Sequence, residues 1–227
     1  MFAVVFRVHP ANSQKKEEYL GFAKHLKPLL ESIDGFIDNE RFASKRNEGW
    51  VLSLSTWRDE KAVVRWRTQG EHHRVQAEGR GHVFSDYHLS ICEVTADTQP
   101  PQGMKVIEQR LDETAVAAGK ALTITELTPP EGGGGTLAAH PDLIPGHAGL
   151  DTRAAALVDY DVFESIYNPG KILLLGFWRT AADAAAWTPA TFAGVSKLRH
   201  RRLRNVRDYG MFERREAPQY YPEAKRQ

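Results

Sequence analysis

The sequence predicts an α+β protein made of two tandem units, each with the element order β-α-β-β-α-β. Three observations predict it. First, the chain repeats itself. At an offset of 121 residues, Phe42, Ser44, Asn47 and Gly49 fall on Phe163, Ser165, Asn168 and Gly170, and Leu52, Leu54, Trp57, Arg58 and Trp66 fall on Leu173, Leu175, Trp178, Arg179 and Trp187. One residue of slip later, Asp86-Tyr87 matches Asp208-Tyr209. So many ordered identities, four of them tryptophan, mark a duplication. Second, apolar residues alternate in some segments and recur at helical spacing in others, in the order of the split β-α-β unit termed ferredoxin-like. Third, 227 residues suffice for two domains of about 100 residues each.

In the first copy, MFAVVFRV is rich in β-branched and aromatic residues and reads as a strand. The stretch from Asn12 to Ile33 opens on a capping side chain and places Tyr19, Phe22, Ala23, Leu26, Leu29, Leu30 and Ile33 at helical spacings. GFIDNERFAS and GWVLSLSTW are strands joined through the turn-rich KRNEG. Asp59 caps a second helix with Ala62, Val63, Trp66 and Val75 on its apolar side, and HVFSDYHLSICEV closes the unit as a strand. The second copy starts on KALTITEL, but the region of its first helix, residues 128–157, holds four consecutive glycines and several prolines and cannot form a continuous helix. VDYDVFES, KILLLGFWR, AADAAAWTPATFAGVSKL and RNVRDYGMFER restore β-β-α-β, with a break expected at Pro189. The boundaries read as a first unit over 1–97, a linker with a helix near 104–119 over 98–119, a divergent second unit over 120–216, and a tail over 217–227. The linker helix, with Ile107, Leu111 and Ala115 near helical period, is expected to cover the surface that the missing helix leaves bare.

The composition excludes several classes. Lys+Arg and Asp+Glu nearly cancel at 30 against 29, so no global field draws nucleic acid or an anionic membrane. The basic run Lys197–Arg207 reads as a solvated helix end leading into a strand. A lone cysteine, Cys92, reads as a buried strand thiol and fits a reducing cytosol. There is no signal-peptide pattern and no apolar run of membrane-spanning length, which gives a cytoplasmic expectation. Exposed strand edges make a homodimer plausible.

The passages LSLSTWRDEKAVVRW (52–66) and EHHRVQAEGRGHVFSDYHLSI (71–91) resemble the antibiotic biosynthesis monooxygenase family. The resemblance covers nearly all of 1–95 and, more distantly, 120–215. It implies the dimeric α+β barrel, in which two ferredoxin-like sheets pack face to face; here a fused pair would form the barrel within one chain as a pseudo-dimer. Members of that family oxidise polycyclic phenols with O₂ and no metal or flavin, cleave haem, or act on small signalling molecules. Trp66 matches the position of a functional tryptophan over the pocket, with Trp187 as its equivalent in the second copy. Haem degraders carry a His ten residues after that Trp, where this chain has Gln76, and an Asn on strand one, which VVFRVHP lacks. No cofactor is therefore expected, and haem is disfavoured.

Trp66 and Trp187 are either core fillers or pocket walls. Trp57 and Trp178, each followed by Arg, read as structural. His72 and His73 are the candidate bases for deprotonating a phenol; adjacent helical positions lie about 100° apart, so at most one faces inward. Tyr87 and Tyr209 are candidate donors to a bound oxygen or hydrogen-bond partners within the barrel. Asp86 and Asp208 are expected to satisfy Arg80 and Arg207. His140 and His147 form at best a weak metal pair, and the 129–150 loop reads as a flap over a pocket, with EGGGG as its hinge. The leading expectation is an enzyme that binds a small aromatic or quinone-type molecule and oxidises it with O₂. The alternative is a non-catalytic ligand-binding or stress-associated barrel, and a haem-binding or haem-degrading protein is third.

Overall fold

The structure is a computed structural model that describes residues 1–131, 139–191 and 193–224. Its elements are β1 (Phe2–Pro10), α1 (Ser13–Glu31), β2 (Phe36–Ser44), β3 (Val51–Trp57), α2 (Glu60–Thr68), α3 (Gly70–Glu78), a π turn (Gly79–Val83), β4 (Phe84–Asp97), β5 (Ala121–Thr128), a 3-10 turn (Pro141–Leu143), α4 (Ile144–His147), β6 (Leu157–Ser165), β7 (Ile172–Trp178), α5 (Ala181–Ala186) and β8 (Lys197–Gly210). The eight strands close into an antiparallel barrel in the order β1-β3-β2-β6-β7-β5-β8-β4. Each copy thus supplies a four-stranded sheet of order 4-1-3-2, the arrangement its β-α-β-β-α-β sequence implies. Two seams join the sheets. β4 runs along β8 from His88–Gly210 to Asp97–Arg201, whereas β2 meets β6 only where Phe42, Ala43 and Ser44 face Ser165, Glu164 and Phe163. Closure pairs the edge strands of the two sheets with one another. Among the described residues, no helix is long and apolar enough to cross a membrane.

Side chains of one parity fill the barrel: Ala3, Val5, Leu52, Leu54, Cys92, Leu122, Ile124, Phe163, Leu173 and Leu175 form one buried cluster. Cys92 is a buried strand thiol, as expected, and burial pushes its pKa up. A charged group lies beside this core. Arg201, fully buried, donates to Glu126 at 2.9 Å and to Thr56 at 3.1 Å, and Lys171 lies 3.0 Å from Glu126. Burial would raise the Glu126 pKa, but the Arg201 and Lys171 charges outweigh it and hold the carboxyl below its ordinary value. The basic run is thus strand from Lys197 onward rather than a solvated helix end. Its arginines pair with acids on the neighbouring strand β4, Arg199 with Asp97 at 2.7 Å and Arg204 with Glu93 at 3.3 Å. Alternation of basic and apolar residues across a strand, not around a helix, puts them there.

On the outer face of the first sheet, α1 starts where the Asn12 carboxamide accepts from the Lys15 N–H at 2.9 Å, and it buries Tyr19, Ala23, Leu26 and Leu30. Each large side chain so buried contributes about 1.5–3 kcal/mol. Asp59 caps α2 through the Ala62 N–H at 2.8 Å, and the expected single helix divides at Gln69 into α2 and α3. The outer face of the second sheet is covered differently. Ile144, Ala148 and Leu150 dock on Leu127, Ile172, Leu174 and Trp178, so the 3-10 turn and α4 stand in for the missing helix. This part of the 129–150 segment packs against its own sheet rather than serving as a flap. The glycines of the expected hinge, 132–135, lie outside the described residues.

The linker holds no helix. Residues 104–119 run as extended and irregular chain, with Met104 and Val106 packed on the barrel core and the N–H groups of Gln109 and Arg110 donating to the buried Glu93 carboxylate. Leu111, placed on the expected apolar face, is 94% exposed. The Glu93 bonds use donors in neighbouring residues, which extended chain can offer to one carboxylate. In the second copy, the helix after β7 ends at Ala186, before Pro189 as expected.

Candidate functional site

The described residues hold a cavity of about 190 Å³ between the outer face of the first sheet and helices α1–α3. This is small for a ligand site, so its occupant is compact. Val4 and Phe6 of β1 with Leu89 and Ile91 of β4 form the floor; Phe22, Leu26 and Val63 of the helices form the roof. One wall comes from the second copy, through Arg207 and Tyr209 of β8 and Gln219 and Tyr221 of the tail.

Trp66 and His72 form one unit of this wall. Their rings stack at 4.0 Å with planes 14° apart. The His72 Nδ1 lies 2.8 Å from the Trp66 carbonyl oxygen, which only accepts, so Nδ1 carries the proton and Nε2 is the acceptor of a neutral ring. Burial lowers the His72 pKa to about 4, against a partial rise from the Trp66 bond, so the imidazole is neutral at pH 7. The division of the helix at Gln69 makes this contact possible: the Gln69 side chain accepts from the His72 N–H at 2.7 Å and caps α3, turning His72 back over α2. His73 points away from the cavity, toward the tail, with its Nδ1 3.4 Å from Gln219 and its ring 6.1 Å from that of Tyr221.

Tyr87 and Tyr209, equivalent positions of the repeat, both wall this one cavity. The Tyr87 hydroxyl sits between guanidinium groups, 3.1 Å from Arg80 and 3.0 Å from Arg214. Burial pushes the Tyr209 phenol up to about 12. The structure does not bring Trp187 to this site. It stacks on Trp178 at 5.8 Å in the second copy and meets His200 edge-on at 5.3 Å. Trp57 and Trp178 are structural, donating through Nε1 to Ser55 and Thr123 at 2.9 Å each, and Arg58 pairs with Asp34 at 2.7 Å.

The expected partners of the two aspartates are corrected as well. Asp208 is bound by His88, by Ser90 at 2.7 Å and by Asn205 at 3.0 Å, which together overcome burial and hold its carboxyl low. Asp86 accepts from the Tyr87 N–H at 2.7 Å. Arg80 instead ties down the tail through the carbonyl oxygens of Met211 and Pro222, both at 2.8 Å. Among the described residues, no three His, Cys, Asp or Glu side chains are grouped to hold a metal, His140 and His147 included.

Sequence reasoning missed the cationic lining. Arg41 of β2, Arg67 of α2, Arg207 and Arg214 all face this mainly apolar space, and among the described residues none of them has a carboxylate at ion-pair distance. Glu60, the acid in the wall, is held by Arg110 at 2.6 Å. The Nε atoms of Arg41 and Arg67 and the hydroxyl oxygens of Tyr19 and Tyr221 are buried without a hydrogen-bond partner. The repeat carried one usable signal: 121 residues beyond Arg41 stands Val162, a buried core residue, so a charge occupies an otherwise apolar position in the first copy alone.

A chain described as jasmonate monooxygenase ABM, from Pyricularia oryzae (strain 70-15), is 40% identical over 229 aligned residues that cover 99% of this chain and all of that one. The profile of the antibiotic biosynthesis monooxygenase family matches residues 1–78. This chain belongs to that family. The matched residues supply the helical roof and, through Val4 and Phe6, half of the floor of the cavity. Solved structures align with this chain at low identity. Aldoxime dehydratase in complex with butyraldoxime aligns at 12% identity and a TM-score of 0.55, over 89% of this chain and 79% of that one. An anthrone oxidase-like protein aligns at 12% identity and a TM-score of 0.38, over 96% of each chain.

Proposed function

We propose that this chain is a monooxygenase that uses O₂, with no resident metal or flavin, to oxidise a small ring compound of the aromatic or quinone type held against Trp66. The observation that supports this reading best is the cavity itself: a compact apolar space with the stacked Trp66–His72 pair in its wall. Family membership supports the reaction class. For an activated ring CH₂ the reaction balances as CH₂ + O₂ → C=O + H₂O, so the substrate supplies all four electrons.

The chain's residues have distinct parts in this reading. Trp66 packs on the ring. His72 offers Nε2 as a hydrogen-bond acceptor and orients the acidic C–H or O–H. As a full base it is weak. Moving a proton from a group with pKa near 10 to an imidazole at about 4 is uphill by about 6 units, or ~8 kcal/mol. The unpaired guanidinium groups of the wall reduce that cost by stabilising the substrate anion. The roof and tail keep bulk water from it.

The test is O₂ uptake and ¹⁸O incorporation with an anthrone-type phenol and with jasmonate, the substrate named for the 40%-identical relative, each with and without added reductant. Uptake that falls in Trp66→Ala supports the proposal. A haem absorption band on titration, followed by its decay with reductant, would replace it with haem chemistry. Tight ligand binding with no uptake would leave a binding protein.

A further inference from the structure

We propose that Arg41, with the Tyr19 hydroxyl beside it, is the specificity-determining seat for a carboxylate on the substrate. This rests on the cavity being the substrate site, as proposed above, and names the group that the substrate carries there.

The seat is preformed. Asn39 donates through its amide nitrogen to Ser53 at 3.1 Å and to the Leu54 carbonyl at 3.0 Å, which leaves its carbonyl oxygen to accept from Arg41 Nη1 at 2.9 Å. These bonds span two paired strands, so the guanidinium is fixed on sheet rather than on a mobile loop. The anchor is neutral and cancels none of the charge. Arg41 Nε is buried and has no partner. Tyr19 is 7% exposed, its hydroxyl oxygen has no partner, and its ring lies 5.8 Å from the Arg41 guanidinium.

A half-buried cation without a counter-charge, with its Nε buried and unpaired, and a buried unpaired hydroxyl on the same apolar cavity are unfavourable together unless an acceptor reaches them. A carboxylate meets both requirements: it takes the charge and the two free donors at once. An ester or amide of the same acid supplies the acceptor without the charge. Val162 at the equivalent place in the second copy is buried in a core cluster, so the fold does not need a cation at this position.

The experiment is calorimetric titration of the full-length protein with two acids and their methyl esters, jasmonate and 2-naphthoate, in wild type, Arg41→Gln and Tyr19→Phe. Wild type is expected to prefer each acid over its ester by roughly 10- to 100-fold. Arg41→Gln should abolish the preference while ester affinity stays within about twofold, and Tyr19→Phe should reduce it partly. Equal binding of acid and ester by wild type, no binding of either acid, or an undiminished preference in Arg41→Gln overturns the proposal. Preserved ester binding shows that the variant is folded. O₂ uptake is read on the same samples. An acid preference without turnover leaves the seat standing and removes the monooxygenase reading, and equal turnover of acid and ester does the reverse.

Discussion

Replacing His200 by Gln removes one of two imidazoles that the fold keeps neutral, and the cost of keeping it neutral can be worked out. His200 is 6% exposed on β8 and has Thr125 Oγ1 2.9 Å from its Nδ1. Burial, and then the nearby Arg202 charge, lower its pKa from 6.5 to about 4, with Asp97 opposing. Between those values the unfolded chain takes up a proton that the folded chain refuses. Stability is therefore unaffected near pH 7, falls as the pH drops through 6.5, and stops falling from this source below about 4. At pH 5 the loss is about 2 kcal/mol. Glu126 and Asp208 are held below their ordinary values and stay ionised in this window, so they do not imitate the effect. The assay is urea unfolding at pH 7 and pH 5. With a slope near 3 kcal/mol/M for a chain of this size, the wild-type midpoint should fall by roughly 0.6 M more than that of His200→Gln. Equal falls in the two proteins would refute the claim that His200 is buried neutral.

Four further outcomes can be checked. His72→Gln should reduce the acid lability by a similar amount, because its pKa is also lowered to about 4, and the two effects should add since His72 lies on α3, stacked on Trp66, while His200 lies on β8 against Trp187 and the two share no partner. Arg201→Met leaves Glu126 buried with a weakened set of partners; a loss of about 3 kcal/mol and a melting temperature lower by roughly 6–12 °C are expected by calorimetry. Gly210→Ala would set a Cβ 2.8 Å from the Tyr87 carbonyl oxygen. That contact is with backbone and cannot yield cheaply, so destabilisation of about 1–3 kcal/mol should appear in the same melts. Removing residues 217–227 takes Tyr221 and Gln219 off the cavity wall; ligand affinity should fall by about tenfold or more while the barrel's circular dichroism is unchanged.

The alternating strands, both capped helices of the first copy and the repeat were legible because each rests on local pattern, and the 4-1-3-2 sheets follow from element order. The linker was misread because Ile107, Leu111 and Ala115 imitate a helical stripe. What decides that segment is the buried Glu93 carboxylate, a partner remote in sequence that takes the N–H groups of Gln109 and Arg110. The 197–207 run was misread as solvated for the related reason that its acids, Glu126, Asp97 and Glu93, lie on other strands. In the site, Trp66 and His72 stood out by residue type, but their stack depends on a helix break at Gln69 that periodicity does not signal. Tyr221 reaches the cavity only through the tail's fold-back onto Arg80, which no local pattern encodes. Arg41 was the recoverable omission, because Val162 marks it as an exception within the repeat.

The position of Arg207, Tyr209 and Tyr221 in the wall of the first copy's cavity bears on how the activity responds to concentration. A barrel assembled from separate subunits loses a shared wall on dilution, so its activity per molecule decays below the dissociation constant. Here the second sheet is covalently tethered and the wall persists at any dilution. The second copy is thereby relieved of maintaining an equivalent cavity between its sheet and helices. It can lose a helix, fill its outer face with Ile144 and Trp187, and persist as a permanent neighbour to the half that holds the cavity.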